Sequence, residues 1–250
     1  MIDSIRERSG GEIIKFAFEI YRAHFWLVFF TYFVLAFPFG FLHELLIGLH
    51  VRGGLGSRPT LLALVLLRTL STFLAGILLT AIVSDIYLGY VPSRRRVLQR
   101  LSSLFLIKGL ATEFLAQVAI GLGLLLLLIP GVVVYTLFMF YLPVFVIEGI
   151  WGLKALRRSI RLGRNYYLRN LSVMLLLYVI VILVFITMFP LFVEFYRART
   201  WVTVTDLGVK GLLLSAVQPI LIIRTVILYY DMRIRNEAYD ITAFAEELKR

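Results

Sequence analysis

The hydrophobic pattern of the chain consists of long apolar runs separated by short basic segments. A helix needs about 20 apolar residues to cross a bilayer, and six runs reach or approach that length. The pattern therefore predicts an all-α polytopic integral membrane protein with six transmembrane helices. We place the spans at 25–49, 60–90, 104 or 110 to 129, 131–147, 171–193 and 208–230.

Amphipathic segments beside these spans predict cytoplasmic interfacial helices. Ser9 and Glu12 have the spacing of a capping box, which satisfies free N–H groups where a helix starts. The apolar positions predicted to face lipid in this helix are Ile14, Ala17, Phe18, Tyr21 and Phe25. The alternative is that this segment forms only the first turns of the next helix. Residues 1–250 make one membrane domain, divided into an amphipathic N-terminal helix (1–24), spans one to three (25–128), a central unit (129–170), spans five and six (171–230) and a tail (231–250).

The central unit contains a turn, a span and a basic helix. Only Pro130 and Gly131 separate spans three and four, so we predict a tight antiparallel hairpin with its turn at these residues. Glu148 and Gly149 end the fourth span. The basic helix that follows is predicted to bury an apolar stripe formed by Leu153, Leu156, Ile160, Gly163 and Tyr167.

Composition and charge support a membrane location. Hydrophobic residues make up 60% of the chain and charged residues 16%, whereas a soluble domain is about one quarter charged. The net charge is +11, and most of the 26 lysine and arginine residues lie between the apolar runs on one predicted side. The positive-inside rule then predicts a cell-membrane protein with both termini in the cytoplasm. This distribution argues against nucleic acid as a partner.

A weak internal repeat relates the two ends of the chain. The segment EIIKFAFEIYRAHFW (12–26) is similar to KALRRSIRLGRNYYL (154–168), and each precedes two spans. The first pair of spans ends in Asp-Ile-Tyr at 85–87, and the second ends in Tyr-Tyr-Asp at 229–231. The pattern predicts two related halves of the same orientation on either side of the central hairpin.

Several motifs together resemble the membrane domain attached to some bacterial glycerophosphodiester phosphodiesterases. They are the Ile-Pro-Gly sequence at 129–131, the Pro143 to Gly149 end of span four, the LKALRRSIRLGRNYY helix and the LYYDMRIRNEAYD sequence at 228–240. The resemblance covers nearly the whole chain and implies a six-helix integral membrane domain. The His and Glu metal-binding pattern of the phosphodiesterase domain is absent from this sequence, so the resemblance implies no diesterase activity.

The arginine-rich face of the basic helix is a candidate site for anionic lipid. A guanidinium group can bind phosphate through two parallel hydrogen bonds, which a lysine ammonium cannot do. The alternative is ordinary anchoring of a positively charged segment at the inner headgroups. The candidate headgroup residues are Arg157, Arg158, Arg161 and Arg164.

Ionisable residues inside the spans form a second candidate group. Charges in lipid are costly and therefore face a partner or the interior of the bundle. We predict structural ion pairs in which Asp85 pairs with Arg161, and Asp231 pairs with Arg22, to hold the amphipathic helices on the bundle. The alternative is a relay of protons. The candidate residues of this group are Asp85, Arg224, Asp231 and Glu148.

The residue patterns favour a non-enzymatic protein without metal or cofactor. The sequence contains no cysteine, and His43 and His50 do not have the four-residue separation typical of zinc-binding helices. We predict a scaffold or accessory subunit of a membrane assembly, with a protein partner in the bilayer. The alternative is a transporter or lipid-handling protein that binds anionic phospholipid at its cytoplasmic face. A polar cavity near the middle of the membrane would favour this alternative, and its candidate lining residues are Gln117, Thr136, Thr187 and Gln218.

Overall fold

The computed structural model describes residues 7–51, 58–91, 102–196 and 201–237, and every element in these ranges is helical. The apolar positions Val97, Leu98, Leu101 and Phe105 predict a short amphipathic piece after the basic loop, and Ile241, Phe244, Ala245 and Leu248 predict a short helix in the tail. Apart from Phe105, these positions lie outside the described residues. The elements are α1 (Gly10–Ala23), α2 (Phe25–Val51), α3 (Arg58–Tyr87), α4 (Ser103–Leu126), α5 (Leu128–Phe138), α6 (Tyr141–Pro143), a π-helix (Val144–Glu148), α7 (Leu153–Gly163), a 3-10 turn (Arg164–Tyr166), α8 (Tyr167–Tyr196) and α9 (Trp201–Glu237).

Six helical segments are long and apolar enough to cross a membrane, which confirms the predicted all-α polytopic architecture. The fifth of these segments includes α7 and continues into α8. The segments are Phe25–His43, Leu62–Tyr87, Ser103–Leu126, Ile129–Glu148, Leu153–Leu183 and Gly211–Glu237.

Helix α1 begins with the predicted capping box but buries a different face. The Ser9 hydroxyl accepts a hydrogen bond from the Glu12 N–H at 3.3 Å, and the Ser9 N–H donates to the Glu12 carboxylate at 2.7 Å. Ile14 and Ala17, predicted to face lipid, are buried in protein together with Ile13, while Phe18 is exposed. The reason is that α1 packs mainly on α9 and α8 and so presents a protein-facing stripe rather than a lipid-facing one.

Helices α1 and α7 and the last turns of α9 lie together at one end of the bundle. We call it the basic end, because Arg8, Arg158, Arg169 and Arg235 lie there. The two predicted halves of the chain also meet near this end. The rings of Tyr87 and Tyr230 stack with their centroids 4.6 Å apart, so the last turn of α3 packs directly against α9.

The hairpin between α4 and α5 is present, but its turn is not at Pro130 and Gly131. Leu127 is the extended residue between the two helices, with φ −171° and ψ 160°. Pro130 and Gly131 lie in the first turn of α5, where proline is tolerated because the first N–H groups have no partner inside the helix. A Cβ built on Gly123 would lie 3.1 Å from the Gly131 Cα, so these two glycines let the helices approach closely.

The fourth span is interrupted rather than continuous, which corrects the prediction of one helix over 131–147. Helix α5 ends at Phe138, and the chain continues through one α-helical turn and a π-helix to Glu148. Ser159 of α7 satisfies the backbone at the interruption, because its hydroxyl donates to the Leu137 carbonyl at 2.7 Å and accepts from the Phe140 N–H at 3.1 Å. The chain then turns into α7 through Gly149 and Gly152, whose φ angles of 70° and 66° favour glycine.

Helices α2, α8 and α9 extend beyond their predicted spans, whereas α3 both begins and ends earlier than the predicted 60–90. Helix α2 continues through Pro38 to Val51. Helix α3 already begins at Arg58, inside the predicted loop, and Pro59 occupies its first turn. Helix α9 begins at Trp201, so the segment predicted as a polar loop is partly helical.

We predict that Gly131→Ala destabilises the protein, because the new Cβ would lie 2.9 Å from the Leu124 Cα and closer still to the Leu124 side chain. Overpacking of this kind costs about 1–3 kcal/mol. Thermal unfolding in detergent measures the effect as a lower melting temperature. The matched control is Gly121→Ala, where a Cβ meets nothing within 4 Å. Equal melting temperatures for the two variants would contradict the close hairpin.

Candidate functional site

A cavity of about 240 Å³, lined by both polar and apolar side chains, lies among the helices of the bundle. Its walls come from α3, α4, α5, α8 and α9, together with the interrupted part of the fourth span. The apolar part of the lining includes Phe138, Leu142 and Ile222. The lining side chains that carry a polar group are Thr80, Gln117, Tyr135, Tyr141, Tyr178, Gln218, Arg224 and Thr225.

Arg224 is the charged residue of this lining, and it lies at the centre of the apolar segment Gly211–Glu237. Only 2% of its surface is exposed. One nitrogen, Nη2, donates to the Thr225 hydroxyl at 3.1 Å, whereas Nε and Nη1 have no hydrogen-bond partner in the described part of the chain. A buried charge without such partners costs several kcal/mol. The guanidinium group therefore retains donors for a further acceptor.

Thr80 adds a second unsatisfied donor to the same cavity. Its hydroxyl is fully buried and has no partner among the described residues. Threonine hydroxyls in helices commonly donate to a carbonyl one turn earlier, as those of Thr112, Thr136 and Thr225 do here. Because Thr80 lacks this bond, its hydroxyl is available to a molecule in the cavity.

Tyrosine hydroxyls complete the polar wall, and a carboxylate lies behind it. The hydroxyls of Tyr135 and Tyr178 lie 2.8 Å apart, and the guanidinium carbon of Arg224 is 5.8 Å from the centre of the Tyr178 ring. Tyr141 donates to one oxygen of Glu113 at 2.5 Å, and Gln117 donates to the other at 2.8 Å. Both oxygens of this carboxylate thus bind lining side chains, and Glu113 itself is not part of the lining.

The interrupted fourth span borders this cavity. Met139, Tyr141 and Pro143 belong both to the interruption and to the lining. Irregular backbone at membrane depth is tolerated where it is buried in protein or lines a cavity. Discontinuous helices of this kind form the ligand sites of many transporters.

An aromatic layer separates the cavity from the basic end. Tyr229 and Tyr230 follow Arg224 along α9 toward that end, and both are almost completely buried. The Tyr229 ring lies 6.4 Å from that of Phe140 and 5.3 Å from that of Tyr230, which in turn stacks on Tyr87. The Ser84 and Tyr230 hydroxyls are 2.6 Å apart. Side chains of α3, α9 and the interruption therefore close this side of the cavity.

Asp231 connects three elements at the basic end. Its Oδ1 accepts a hydrogen bond from the Arg8 N–H at 2.7 Å, just before α1. Its Oδ2 lies 2.7 Å from Nη2 of Arg169 and 2.9 Å from Nε of Arg235. The same two arginines donate to the Arg8 carbonyl at 2.6 and 3.0 Å. This buried carboxylate therefore holds the start of α1, the start of α8 and the end of α9 together.

Glu148 forms a second ion-pair cluster where the fourth span ends. Arg158 of α7 binds both of its oxygens, at 2.8 and 3.0 Å, and the Tyr229 hydroxyl donates to it at 2.7 Å. Arg158 also pairs with Glu237, which is 3.3 Å from Arg233. These contacts fix α7 against the end of α9.

The structure pairs Asp231 with different arginines from the one predicted. Arg22 and Arg161, the predicted partners of Asp231 and Asp85, are both exposed. Asp85 is half-buried near the end of α3. The helix faces could be predicted from the sequence, but the direction in which α1 crosses the bundle could not. That direction brings Arg8 rather than Arg22 to Asp231.

The four predicted headgroup arginines divide into two groups. Arg157, Arg161 and Arg164 are exposed on one side of α7, whereas Arg158 turns inward to Glu148 and Glu237. The predicted apolar stripe is also rotated, because Leu153 is exposed. The reason is that α7 packs against the interruption of the fourth span. The buried residues of α7 are Ala155, Leu156, Ser159, Leu162 and Gly163.

Of the four predicted midplane polar residues, Gln117 and Gln218 line the cavity. Thr136 is bonded to the Val132 carbonyl, and the side chain of Thr187 lies outside the described residues. His43 contacts Arg68 at 3.0 Å, while the side chain of His50 lies outside the described residues.

The sequence reasoning missed Thr80, Tyr135 and Tyr178 as members of the cavity. A signal was present for the two tyrosines, because each lies well inside an apolar run rather than at its end. A buried phenol hydroxyl needs a hydrogen-bond partner, which points to a polar interior at that depth.

We predict that Asp231→Asn strongly destabilises the protein, because it removes the carboxylate between Arg169 and Arg235. Removing one partner of a buried ion pair costs about 3–5 kcal/mol. Urea or thermal unfolding in detergent measures this loss. The matched control, Arg157→Gln, changes an exposed charge and leaves stability nearly unchanged.

A double-mutant cycle tests the pairing directly. Asp231→Asn combined with Arg169→Gln is expected to be less destabilising than the sum of the two single variants, because the second change removes a charge that the first leaves unpaired. Additive effects would show that Asp231 and Arg169 do not interact in the folded protein.

No protein-family model, curated protein or solved structure matches the chain. The resemblance to the membrane domain of glycerophosphodiester phosphodiesterases therefore stays a prediction. The candidate site rests on the geometry of the chain itself.

Proposed function

We propose that the chain is a non-enzymatic integral membrane protein that binds an anionic group inside its helix bundle, as a transporter or lipid-handling protein does. The main support for this proposal is the guanidinium group of Arg224. It is buried at the centre of a span, and two of its nitrogens lack partners among the described residues. An ionisable residue inside a membrane span is a functional candidate by default, because its burial is costly.

The chemistry of the lining favours an oxyanion as the bound group. Arg224 supplies a positive charge and donors only, and the Thr80 hydroxyl is also able to donate. Hydrogen bonds to charged groups contribute about 1.5–3 kcal/mol each, which is enough to offset part of the cost of burying the guanidinium. A phosphate or carboxylate oxygen would satisfy these donors together.

A scaffold or accessory subunit is the other function that the sequence favoured. The polar cavity changes this preference, because a protein that only holds a partner needs no unsatisfied charge at the centre of its bundle. Association with a protein partner remains compatible with ligand binding.

We also propose that the basic end faces the cytoplasm of a cell membrane. The positive-inside rule supports this orientation, since Arg157, Arg161 and Arg164 lie exposed at that end. In this orientation the three arginines meet the anionic headgroups of the inner leaflet.

The absence of cysteine from the sequence makes the orientation directly measurable. We predict that Arg157→Cys reacts with a membrane-impermeant maleimide in inside-out vesicles and in permeabilised cells, but not in intact cells. A cysteine placed at Leu62, near the opposite end of α3, is the matched comparison and should react in intact cells. The reverse pattern would contradict the proposed orientation.

We predict that Arg224→Met raises the melting temperature of the ligand-free protein while abolishing ligand binding. The substitution replaces a buried guanidinium, two of whose nitrogens lack partners among the described residues, by an apolar side chain, and so removes the cost of desolvating that charge. Binding is measured as the thermal stabilisation given by inorganic phosphate and by short-chain phosphatidic acid. A ligand at one hundred times its Kd stabilises a protein by about 2.7 kcal/mol.

The matched control is Arg22→Gln, which removes an exposed arginine of α1 and should retain ligand stabilisation. An equal response of the wild-type protein and Arg224→Met to both probes would contradict the proposed function. A lower melting temperature of Arg224→Met without ligand would instead show that the guanidinium stabilises the folded protein.

A further inference from the structure

We infer that the ligand of the Arg224 cavity is an anionic phospholipid, whose headgroup reaches the cavity sideways from the bilayer while its acyl chains stay outside. This inference rests on the proposed function and names the class of ligand and its route. Three observations carry it, namely where the cavity opens, where it is closed and how large it is.

The cavity opens on the lipid-facing side of α4. Gln117 belongs to the lining and is exposed, and Ile120, one turn further along α4, is a half-buried lining residue. The neighbouring positions on this helix face lipid, because Phe114 is 68% exposed and Leu122 is 57% exposed. A molecule that enters beside Gln117 and Ile120 therefore comes from the hydrocarbon region rather than from water.

The side toward the basic end is closed. The aromatic layer of Phe140, Tyr229, Tyr230 and Tyr87 lies between Arg224 and that end, and each of these four side chains is buried. A water-soluble oxyanion therefore finds no open route from this side, whereas a lipid already lies at the opening.

The size and polarity of the cavity fit a headgroup alone. Pockets that enclose a drug-sized molecule have volumes of about 300 Å³ or more. A cavity of about 240 Å³ encloses a phosphate with its immediate substituents and leaves the chains of a lipid outside. The donors of Arg224 and Thr80 face the phosphate, and apolar residues such as Ile120 and Ile222 lie where the glycerol and chains begin.

A phosphate oxyanion can come from a lipid or from solution, and the experiment separates these sources. Purified protein is reconstituted in nanodiscs and exposed to phosphatidylglycerol, to phosphatidylcholine or to inorganic phosphate, and bound ligand is measured by native mass spectrometry and by competition. All proteins carry Arg157→Gln, Arg161→Gln and Arg164→Gln, which removes binding to the exposed arginines of α7. The variants Arg224→Gln and Thr80→Val test the cavity.

The opening is tested with a matched pair on α4. Ile120→Trp fills the mouth of the cavity, and Leu122→Trp places the same side chain on the neighbouring lipid-facing surface outside the lining. We expect phosphatidylglycerol to bind at least tenfold more tightly than phosphatidylcholine or inorganic phosphate. We expect Arg224→Gln and Ile120→Trp to weaken this binding at least tenfold, Thr80→Val severalfold and Leu122→Trp less than twofold.

Two results would overturn the inference in different ways. In the first, inorganic phosphate binds in an Arg224-dependent manner and phosphatidylglycerol does not, or Ile120→Trp leaves phosphatidylglycerol binding unchanged. The ligand is then not a lipid that enters sideways, but the proposed function stands. If no probe shows binding that depends on Arg224, both the inference and the proposed function fail.

Discussion

The ion pairs of Asp231 hold the helices of this protein in their arrangement. The carboxylate is fully buried, and its two oxygens bind the backbone before α1, the first turn of α8 and the last turns of α9. A lipid solvent cannot supply partners for such groups, so every polar atom must find one within the protein. The crossing of α1 over the second half of the chain follows from this constraint, since the Arg8 backbone has to reach Asp231.

Arg224 lies on the same helix as Asp231, seven residues earlier, and its environment is the opposite. Asp231 has partners on both oxygens, whereas the Arg224 guanidinium binds one hydroxyl and leaves two nitrogens without a partner in the described ranges. One buried charge thus has partners within the protein, and the other is open toward a cavity. Because the two environments differ in this way within one helix, we propose that Asp231 stabilises the folded protein and that Arg224 binds the ligand. The interrupted fourth span makes room for this cavity, and Ser159 offsets part of the resulting loss of backbone hydrogen bonds.

The elements of the fold were largely predictable from the sequence, while their mutual contacts were not. Hydrophobic length identified the six spans, and the spacing of Ser9 and Glu12 identified the start of α1. The interruption at Phe138 escaped prediction because Phe138, Met139 and Phe140 are all apolar, so no polar residue marks the end of the helix. The predicted burial of Leu153 was wrong for a related reason. An apolar stripe shows that a helix is amphipathic, but the neighbours of that helix decide which edge of the stripe is covered.

The candidate site was predicted only in part for the same physical reason. The sequence identified Arg224, Gln117 and Gln218 as candidate residues because they are polar and lie in apolar runs, and all three line the cavity. Thr80 did not, because a threonine hydroxyl in a helix usually bonds to its own backbone and so carries no signal in the sequence. Which of these residues face one another depends on how five helical elements pack, which is a property of tertiary structure.

The measurement that tests the central claim most directly is an experimental density map of the protein purified without added lipid. We predict density for a tetrahedral oxyanion about 3 Å from Nε of Arg224 and from the Thr80 hydroxyl, continuous with chain-like density that leaves past Ile120. A cavity that holds only water, or an Arg224 guanidinium bonded to a carboxylate of the chain itself, would contradict it.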